Sequence, residues 1–512
     1  MVFSSITFLF LFLPVVLVLY HLLFLPVTLG WHSSFWRRAS NCFLLLASLL
    51  FYFWGEDYLI WIIVTSTLID YFCGLLISGG LGGGEIHRLD PNRKRTALQK
   101  FGLIFSICSN LAFLGFFKYF NFGIYNYNRA MGAIGLEGLQ WLDAAWIALP
   151  LGISFYTFQS MSYTIDVYRG EVKATRNLID FACYVTMFPQ LVAGPIVRYR
   201  DVARELVSRR ITSEEFASGV SRFIIGLAKK VLIANTVAVG ADQVFALPDD
   251  ELTFSLAWFG VICYTLQIYF DFSGYSDMAI GLGRMFGFNY LENFNYPYFA
   301  QSIQDFWRRW HISLSTWFRD YLYIPLGGSR GSGARTYFNL VTVFFLCGFW
   351  HGASFTFIAW GLYHGFFLVI ERVGLLRLLS RLPIGVRHAY AVLVVMGGWV
   401  LFRCAGKFAQ AIAFYQAMIG MGRGTGEQYG LDIVMTADIA LAILLGILFS
   451  APVLPYLHQW VRDRIHGSGS VGRILGEAGF SSLRVIGLAT LFGLSAMWLS
   501  AGTHNPFIYF RF

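Results

Sequence analysis

Charge is scarce in this chain. Asp, Glu, Lys and Arg together supply 13% of the 512 residues, whereas hydrophobic residues supply 57% and aromatic residues 18%. That balance excludes a water-soluble globule and predicts an all-α polytopic membrane protein with the lipid bilayer as its solvent. Cysteine is also sparse and unpatterned. Cys42, Cys73, Cys108 and Cys347 fall inside apolar runs without a C-x-x-C pair, which reads as small buried hydrophobes. No H-x-x-x-H pair or Cys/His cluster is present, so no metal site is expected. A nucleotide loop is missing too, because GLGRMFG at Gly281–Gly287 departs from G-x-G-x-x-G. The net charge of +9 does not point to nucleic acid, since the basic residues lie in short loops between apolar spans. The opening MVFSSITFLFLFLPVVLVLYHLLFLPV lacks both a basic n-region and a small-x-small cleavage motif, so it reads as a retained first helix.

Further apolar spans are predicted at Cys42–Trp54, Leu59–Ser78, Phe101–Phe120, Ala145–Tyr163, Thr253–Phe270, Ala389–Phe402, Ile433–Leu454 and Leu483–Leu499. The expectation is about 10–12 spanning or re-entrant helices in a single integral domain, with a core over roughly residues 145–372. The loop carrying Arg88, Arg93, Lys94, Arg95 and Lys100 is the clearest basic cluster among the early connections and is placed in the cytoplasm. The segment FACYVTMFPQLVAGPIV, interrupted by Pro189, Gly194 and Pro195, reads either as a re-entrant hairpin or as a proline-kinked span. The stretch Lys407–Met421 sets Phe408, Ile412, Tyr415 and Met418 on one side and is expected at the membrane interface.

The chemistry concentrates between Tyr264 and Gly365, where three histidines stand in aromatic surroundings. From Tyr337 to Ile370 there is no Asp, Glu, Lys or Arg, which predicts one long or two shorter apolar helices. Within them, Gly348 and Gly352 bracket Trp350-His351, and Gly361 and Gly365 bracket Tyr363-His364, a spacing that lets helix backbones approach closely. Upstream, Ile303, Phe306, Trp307, Trp310, Leu314, Trp317, Tyr321 and Ile324 recur at three- and four-residue spacing. This predicts one amphipathic helix ending near Pro325 and Gly327-Gly328, with His311 at the edge of its apolar stripe. GGSRG at Gly327–Gly331 matches G-x-S-x-G in letters, but it follows a helix where a nucleophile elbow requires a strand, so it reads as a turn.

With metal, nucleophile-elbow and nucleotide chemistry set aside, a neutral imidazole acting as a general base is the chemistry available to His311 and His351. A packing role is the competing reading, and it is the one adopted for His364. Residue types alone leave a transporter and a membrane enzyme both open.

The segments QIYFDFSGYSDMAIG, ENFNYPYFAQSIQDFWRRWHISLSTWFRDYLYIPLGGSRG and GFWHGASFTFIAWGLYHG together resemble the membrane-bound O-acyltransferases. More narrowly, they resemble the bacterial branch that serves alginate O-acetylation and includes relatives acetylating cellulose or peptidoglycan. PLGISFYTFQSMSYTIDVYRG, FPQLVAGPIVRYRD and the closing NPFIYFRF fit the same branch. The resemblance implies a helical bundle around a central funnel, with His351 as the base that deprotonates an attacking hydroxyl. It implies that His311 either positions or polarises the acyl donor or assists proton transfer. Trp350, Tyr323 and Asn295 are weaker candidates for contact with substrate or donor, and Arg308 and Arg309 for donor phosphates. No bound cofactor is implied; acetyl-CoA is the implied donor, periplasmic acetyltransferase or adaptor proteins are the implied partners, and a bacterial inner membrane is the implied location. Asp271 and Asp277 are expected to serve as scaffold.

Overall fold

The computed structural model describes residues 2–31, 34–82, 85–467, 470–502 and 504–506. Most of the NPFIYFRF motif, Phe507–Phe512, lies outside the described residues. Among the described residues every regular element is helical. Six helical stretches among the described residues are long and apolar enough to cross a membrane, and a seventh if the bent pair Ala437–Phe449 and Val453–His466 acts as one span. Other expected spans are shorter or begin later than hydropathy suggested. Helix Ile153–Arg169 starts only after Gly152, which takes a left-handed φ of 74°, so Ala145–Leu151 is not helical.

Two compact units share the chain. One comprises Met1–Val220 with Ala279–Leu291, the other Ser221–Met278 with Glu292–Phe512. The first contains α1 (Leu13–Thr28), α2 (Ser34–Glu56), α3 (Ile60–Ser78), α4 (Ala97–Ala133), α5 (Ile153–Arg169), α6 (Leu178–Thr186), α7 (Phe188–Leu191) and α8 (Tyr199–Val207). α4 begins in a capping box, the Thr96 hydroxyl accepting from Gln99 N at 3.2 Å while Gln99 Oε1 accepts from Thr96 N at 2.9 Å. A polar knot ties α3, α4 and α5. Buried Asp70 accepts from the Ser106 hydroxyl at 2.5 Å and from Asn110 Nδ2 at 2.8 Å, and Ser106 Oγ lies 2.8 Å from Thr164 Oγ1. A carboxyl so deep is tolerated because it is hydrogen-bonded throughout. The proline-interrupted segment is not a single kinked helix. It breaks at Met187 between α6 and α7, and its irregular backbone from Val192 to Val197 is buried in protein.

The boundary between the units runs through two helices, α9 (Ser213–Ala228) and, after α10 (Asn235–Phe245), α11 (Phe254–Met285). The second unit continues with α12 (Ile303–Arg309), α13 (Ile312–Phe318), α14 (Gly333–His351), α15 (Phe355–Ile370), α16 (Leu376–Leu379), α17 (Ile384–Arg403) and α18 (Phe408–Met418). Four helices close it: α19 (Leu431–Val434), α20 (Ala437–Phe449), α21 (Val453–His466) and α22 (Ser470–Ser500). α18 buries Ala411, Phe414 and Ala417, with Phe414 stacked on Phe245 at 4.1 Å, and leaves Phe408 and Ile412 exposed. Its outward face is thus the apolar one named from the sequence at those two positions.

Candidate functional site

The charge-free run folds as two helices. α14 ends at His351 because Gly352 is extended, and Ser354 then caps α15 by accepting from Thr356 N at 3.2 Å. The two helices cross at glycine. A Cβ on Gly348 would lie 2.3 Å from the Phe357 carbonyl oxygen, and one on Gly361 would lie 2.2 Å from that of Phe344. The spacing read from the sequence therefore marks a real backbone crossing. It seats His351, which is 4% exposed, with its ring 4.9 Å from that of Trp350, 4.9 Å from Trp360 and 5.3 Å from Phe402.

His311 is not on a continuous amphipathic helix. The predicted helix breaks into α12, α13 and a π-helical turn at Arg319–Tyr323, and His311 stands at the first break with a left-handed φ of 43°. The cause is a segment that competes for the backbone. Asn295 N donates to Arg309 O at 2.9 Å, and Ile312 N donates to Asn293 O at 2.9 Å, drawing off groups that an uninterrupted helix would use internally. The His311 side chain is fully buried, edge-on to Phe272 at 4.6 Å, with Nδ1 3.1 Å from Asn293 Oδ1.

An array of indoles connects the two neighbourhoods. Trp310, beside His311 in the chain, lies 4.9 Å from Trp399; Trp399 lies 6.2 Å from Trp360; and Trp360 lies 4.9 Å from His351. His364 packs into this array against Trp307 at 5.2 Å and Trp360 at 5.1 Å. Neither of its ring nitrogens has a hydrogen-bond partner among the described residues, so its contacts are aromatic and not those of a hydrogen-bonded packing residue. The surroundings are low in polarity, so any charge developing here would interact strongly with the few dipoles present.

The other candidates stand apart from the imidazoles. Asn295 is exposed, as is Arg308; Arg309 is half-buried and pairs with Asp305 at 2.9 Å; and the half-buried Tyr323 shares a 2.8 Å hydrogen bond with Ser329. Only Trp350 is brought against a histidine. Asp271 and Asp277 are both engaged in ion pairs. Asp271 pairs with Lys230 at 2.7 Å, each side chain 2% exposed, and Asp277 meets Lys229 at 2.7 Å and Arg222 Nε at 2.8 Å. α9 and α11 touch at Gly226 and Gly274, where a Cβ on either would meet the other's carbonyl oxygen within 2.7 Å.

Sequence reasoning missed Asn293 and Glu371. Asn293 stands two positions before the named Asn295, and no periodicity separates them. Glu371 carries a usable signal: it is the first acid after the long charge-free run. Its carboxylate accepts from Ile303 N at 2.6 Å, Gln304 N at 2.9 Å and the Tyr390 hydroxyl at 3.1 Å, capping the helix that leads to His311.

Comparison with known proteins places this geometry among relatives. The profile described as "MBOAT, membrane-bound O-acyltransferase family" matches residues 169–402, which include His311, His351 and their aromatic walls. A protein of Azotobacter vinelandii named "Probable alginate O-acetylase AlgI" is 42% identical, with all of both chains covered. A Pseudomonas putida protein of the same name is also 42% identical over the whole of both chains. A peptidoglycan O-acetyltransferase of Helicobacter pylori is 38% identical over 73% of this chain and 70% of its own.

Proposed function

The chain belongs to the membrane-bound O-acyltransferase family and is a multi-pass membrane acyltransferase, and from that premise we propose that it acetylates an exopolysaccharide, alginate in the first instance. Acetyl-CoA is the cytoplasmic donor, the membrane is a bacterial inner membrane, and periplasmic acetyltransferase or adaptor proteins complete delivery to the polymer. The observation that carries the acceptor is the full-length 42% identity to proteins named for alginate acetylation, against 38% over part of the chain for the peptidoglycan enzyme.

A thioester is already activated, so the protein must chiefly raise the nucleophilicity of a hydroxyl, stabilise the oxyanion and keep water out. His351 takes the proton as the hydroxyl oxygen attacks the thioester carbonyl. The carbon–oxygen ester bond then forms, the carbon–sulfur bond breaks, and the proton passes to the departing thiolate. Dense packing by Trp350, Trp360 and Phe402 supports the exclusion of water from this step. Asp271 and Asp277, held in ion pairs, stay outside the proton chemistry.

The test is release of CoA from labelled acetyl-CoA by purified protein in nanodiscs, with and without the periplasmic partners and with alginate, cellulose or peptidoglycan fragments as acceptors. Replacing His351 with Ala should lower the rate about 10²- to 10⁴-fold, the usual contribution of general-base catalysis, without unfolding the protein. Label arriving on peptidoglycan or cellulose in preference to alginate would reassign the acceptor. No CoA release by a folded, donor-binding protein would sink the direct acetyl-CoA mechanism and favour transport of an acylated carrier.

A further inference from the structure

A neutral imidazole has one N–H and one lone pair, and the groups facing its two nitrogens decide which carries which. His311 Nδ1 faces Asn293 Oδ1 at 3.1 Å. The orientation of that amide is fixed independently. Its oxygen lies 3.2 Å from the backbone nitrogen of Ser313, a group that can only donate, and 2.9 Å from the Ser313 hydroxyl. Its nitrogen donates to Ser276 Oγ at 3.0 Å. Turning the amide over would set two donors against each other at Ser313. Oδ1 therefore faces the ring, and Nδ1 must carry the proton. Ser313 Oγ, 3.5 Å from the same Nδ1, directs its own hydrogen to Asn293 and does not compete for the role of donor.

We propose that Asn293 is a positioning residue that locks His311 in the Nδ1–H tautomer and so presents the lone pair at Nε2. The cradle is braced from three directions. The backbone oxygen of Asn293 accepts from Ile312 N at 2.9 Å, holding the strained His311 backbone in place. Ser276 lies on α11 next to Asp277, which Lys229 and Arg222 anchor. The preceding residue, Glu292, pairs with the same Arg222 at 3.0 Å.

Resting on the acyl-transfer reading, this assignment removes polarisation of the donor from the roles open to His311 and favours proton transfer. A neutral ring whose Nε2 has no hydrogen cannot donate to the thioester carbonyl and polarise it. His311 is instead a proton acceptor that assists transfer. The hydroxyl has one proton: where His311 receives it in place of His351, an N–H bond forms at Nε2 as the O–H bond breaks, and the resulting imidazolium is stabilised through Nδ1–H by the Asn293 oxygen. When the carbon–sulfur bond breaks, the thiolate takes that proton and the ring returns to neutral. His311 is thereby an alternative acceptor for the one proton assigned to His351.

Two measurements test this. In nanodisc-embedded protein labelled with ¹⁵N-histidine, with the His311 signals identified by their loss in His311→Asn, Nδ1 should be protonated and Nε2 unprotonated. The reverse pattern would overturn the proposal. In the acetyl-transfer assay, Asn293→Ala should lower kcat about 10- to 100-fold, as removal of a histidine's outer partner typically does, with little change in KM for the donor. Asn293→Asp should restore most of the rate, because the Ser276 hydroxyl can turn to donate to a carboxylate. It should also move the acid limb of the pH–rate profile upward, since a carboxylate stabilises the imidazolium more than an amide does. A merely structural Asn293 would make Asp as damaging as Ala, or leave the acid limb unmoved in an active Asp variant, and either result would overturn the assignment. Should the protein turn over no thioester while the ¹⁵N pattern is as expected, the acetyl-transfer reading falls and the tautomer assignment stands.

Discussion

A single methyl group at Gly348 should be costly. The Cβ of an alanine there would fall 2.3 Å from the Phe357 carbonyl oxygen and 3.2 Å from the Gly361 Cα. A carbon and a carbonyl oxygen in contact sit roughly 3.3 Å apart or more, so α14 and α15 must separate by about 1 Å. The obstacle is backbone on both sides, and no side chain can rotate out of the way. Overpacking of this kind costs about 1–3 kcal/mol. The displaced segment ends in His351, and a misplacement near 1 Å at a reacting group lowers rates by about 10²-fold. Gly348→Ala should therefore unfold at lower temperature in detergent and lose about 99% of its acetyl-transfer rate. The control is Gly365→Ala, also on α15, where the new methyl would rest 3.4 Å from the Phe344 Cβ in ordinary van der Waals contact. It should behave nearly as wild type. A Gly348→Ala protein with wild-type stability and rate would refute the claim that the glycine crossing sets the position of His351.

Two further outcomes follow from buried charge. Glu371→Ala leaves the Ile303 and Gln304 amides without their carboxylate, and about 1–3 kcal/mol of stability should be lost for a buried donor left unpaired; denaturation in detergent reads this directly, and an unchanged midpoint would contradict the capping role. Lys230→Met strands the Asp271 carboxylate, which should cost about 3–5 kcal/mol, whereas the double replacement Lys230→Met with Asp271→Leu should recover most of that loss. If the double variant is less stable than the single one, the pair contributes more than charge compensation.

Much of the helical architecture was legible because apolar length and spacing are local properties. That the glycines mark a close helix approach was readable from their four-residue spacing, but that Gly348 meets Gly361 was not. The break at His311 was not, because three- and four-residue periodicity continues through Trp310, Leu314 and Trp317 as if the helix did. What interrupts it is a pair of backbone hydrogen bonds to Asn293 and Asn295, supplied from the irregular segment that precedes it. The ion pairs of Asp271 and Asp277 were likewise hidden. Their partners Lys230, Lys229 and Arg222 lie on the helical stretch Ser213–Phe245, although two adjacent lysines within a stretch of membrane-crossing length signal that partners must exist. Asn293 and Asn295 differ by burial, 1% exposed against exposed, and the sequence offers nothing to tell them apart.

The left-handed backbone at His311 also dictates how the residue should be replaced. With φ at 43°, the position suits glycine, asparagine, aspartate and histidine, whose short or polar side chains tolerate that region, and it penalises alanine and especially β-branched residues. An alanine scan would mix two losses at this site, the imidazole and the turn that separates α12 from α13. Asparagine removes the ring while leaving the chain's path intact, so a rate deficit in His311→Asn reports chemistry, and any additional deficit in His311→Ala or His311→Val measures the conformational share.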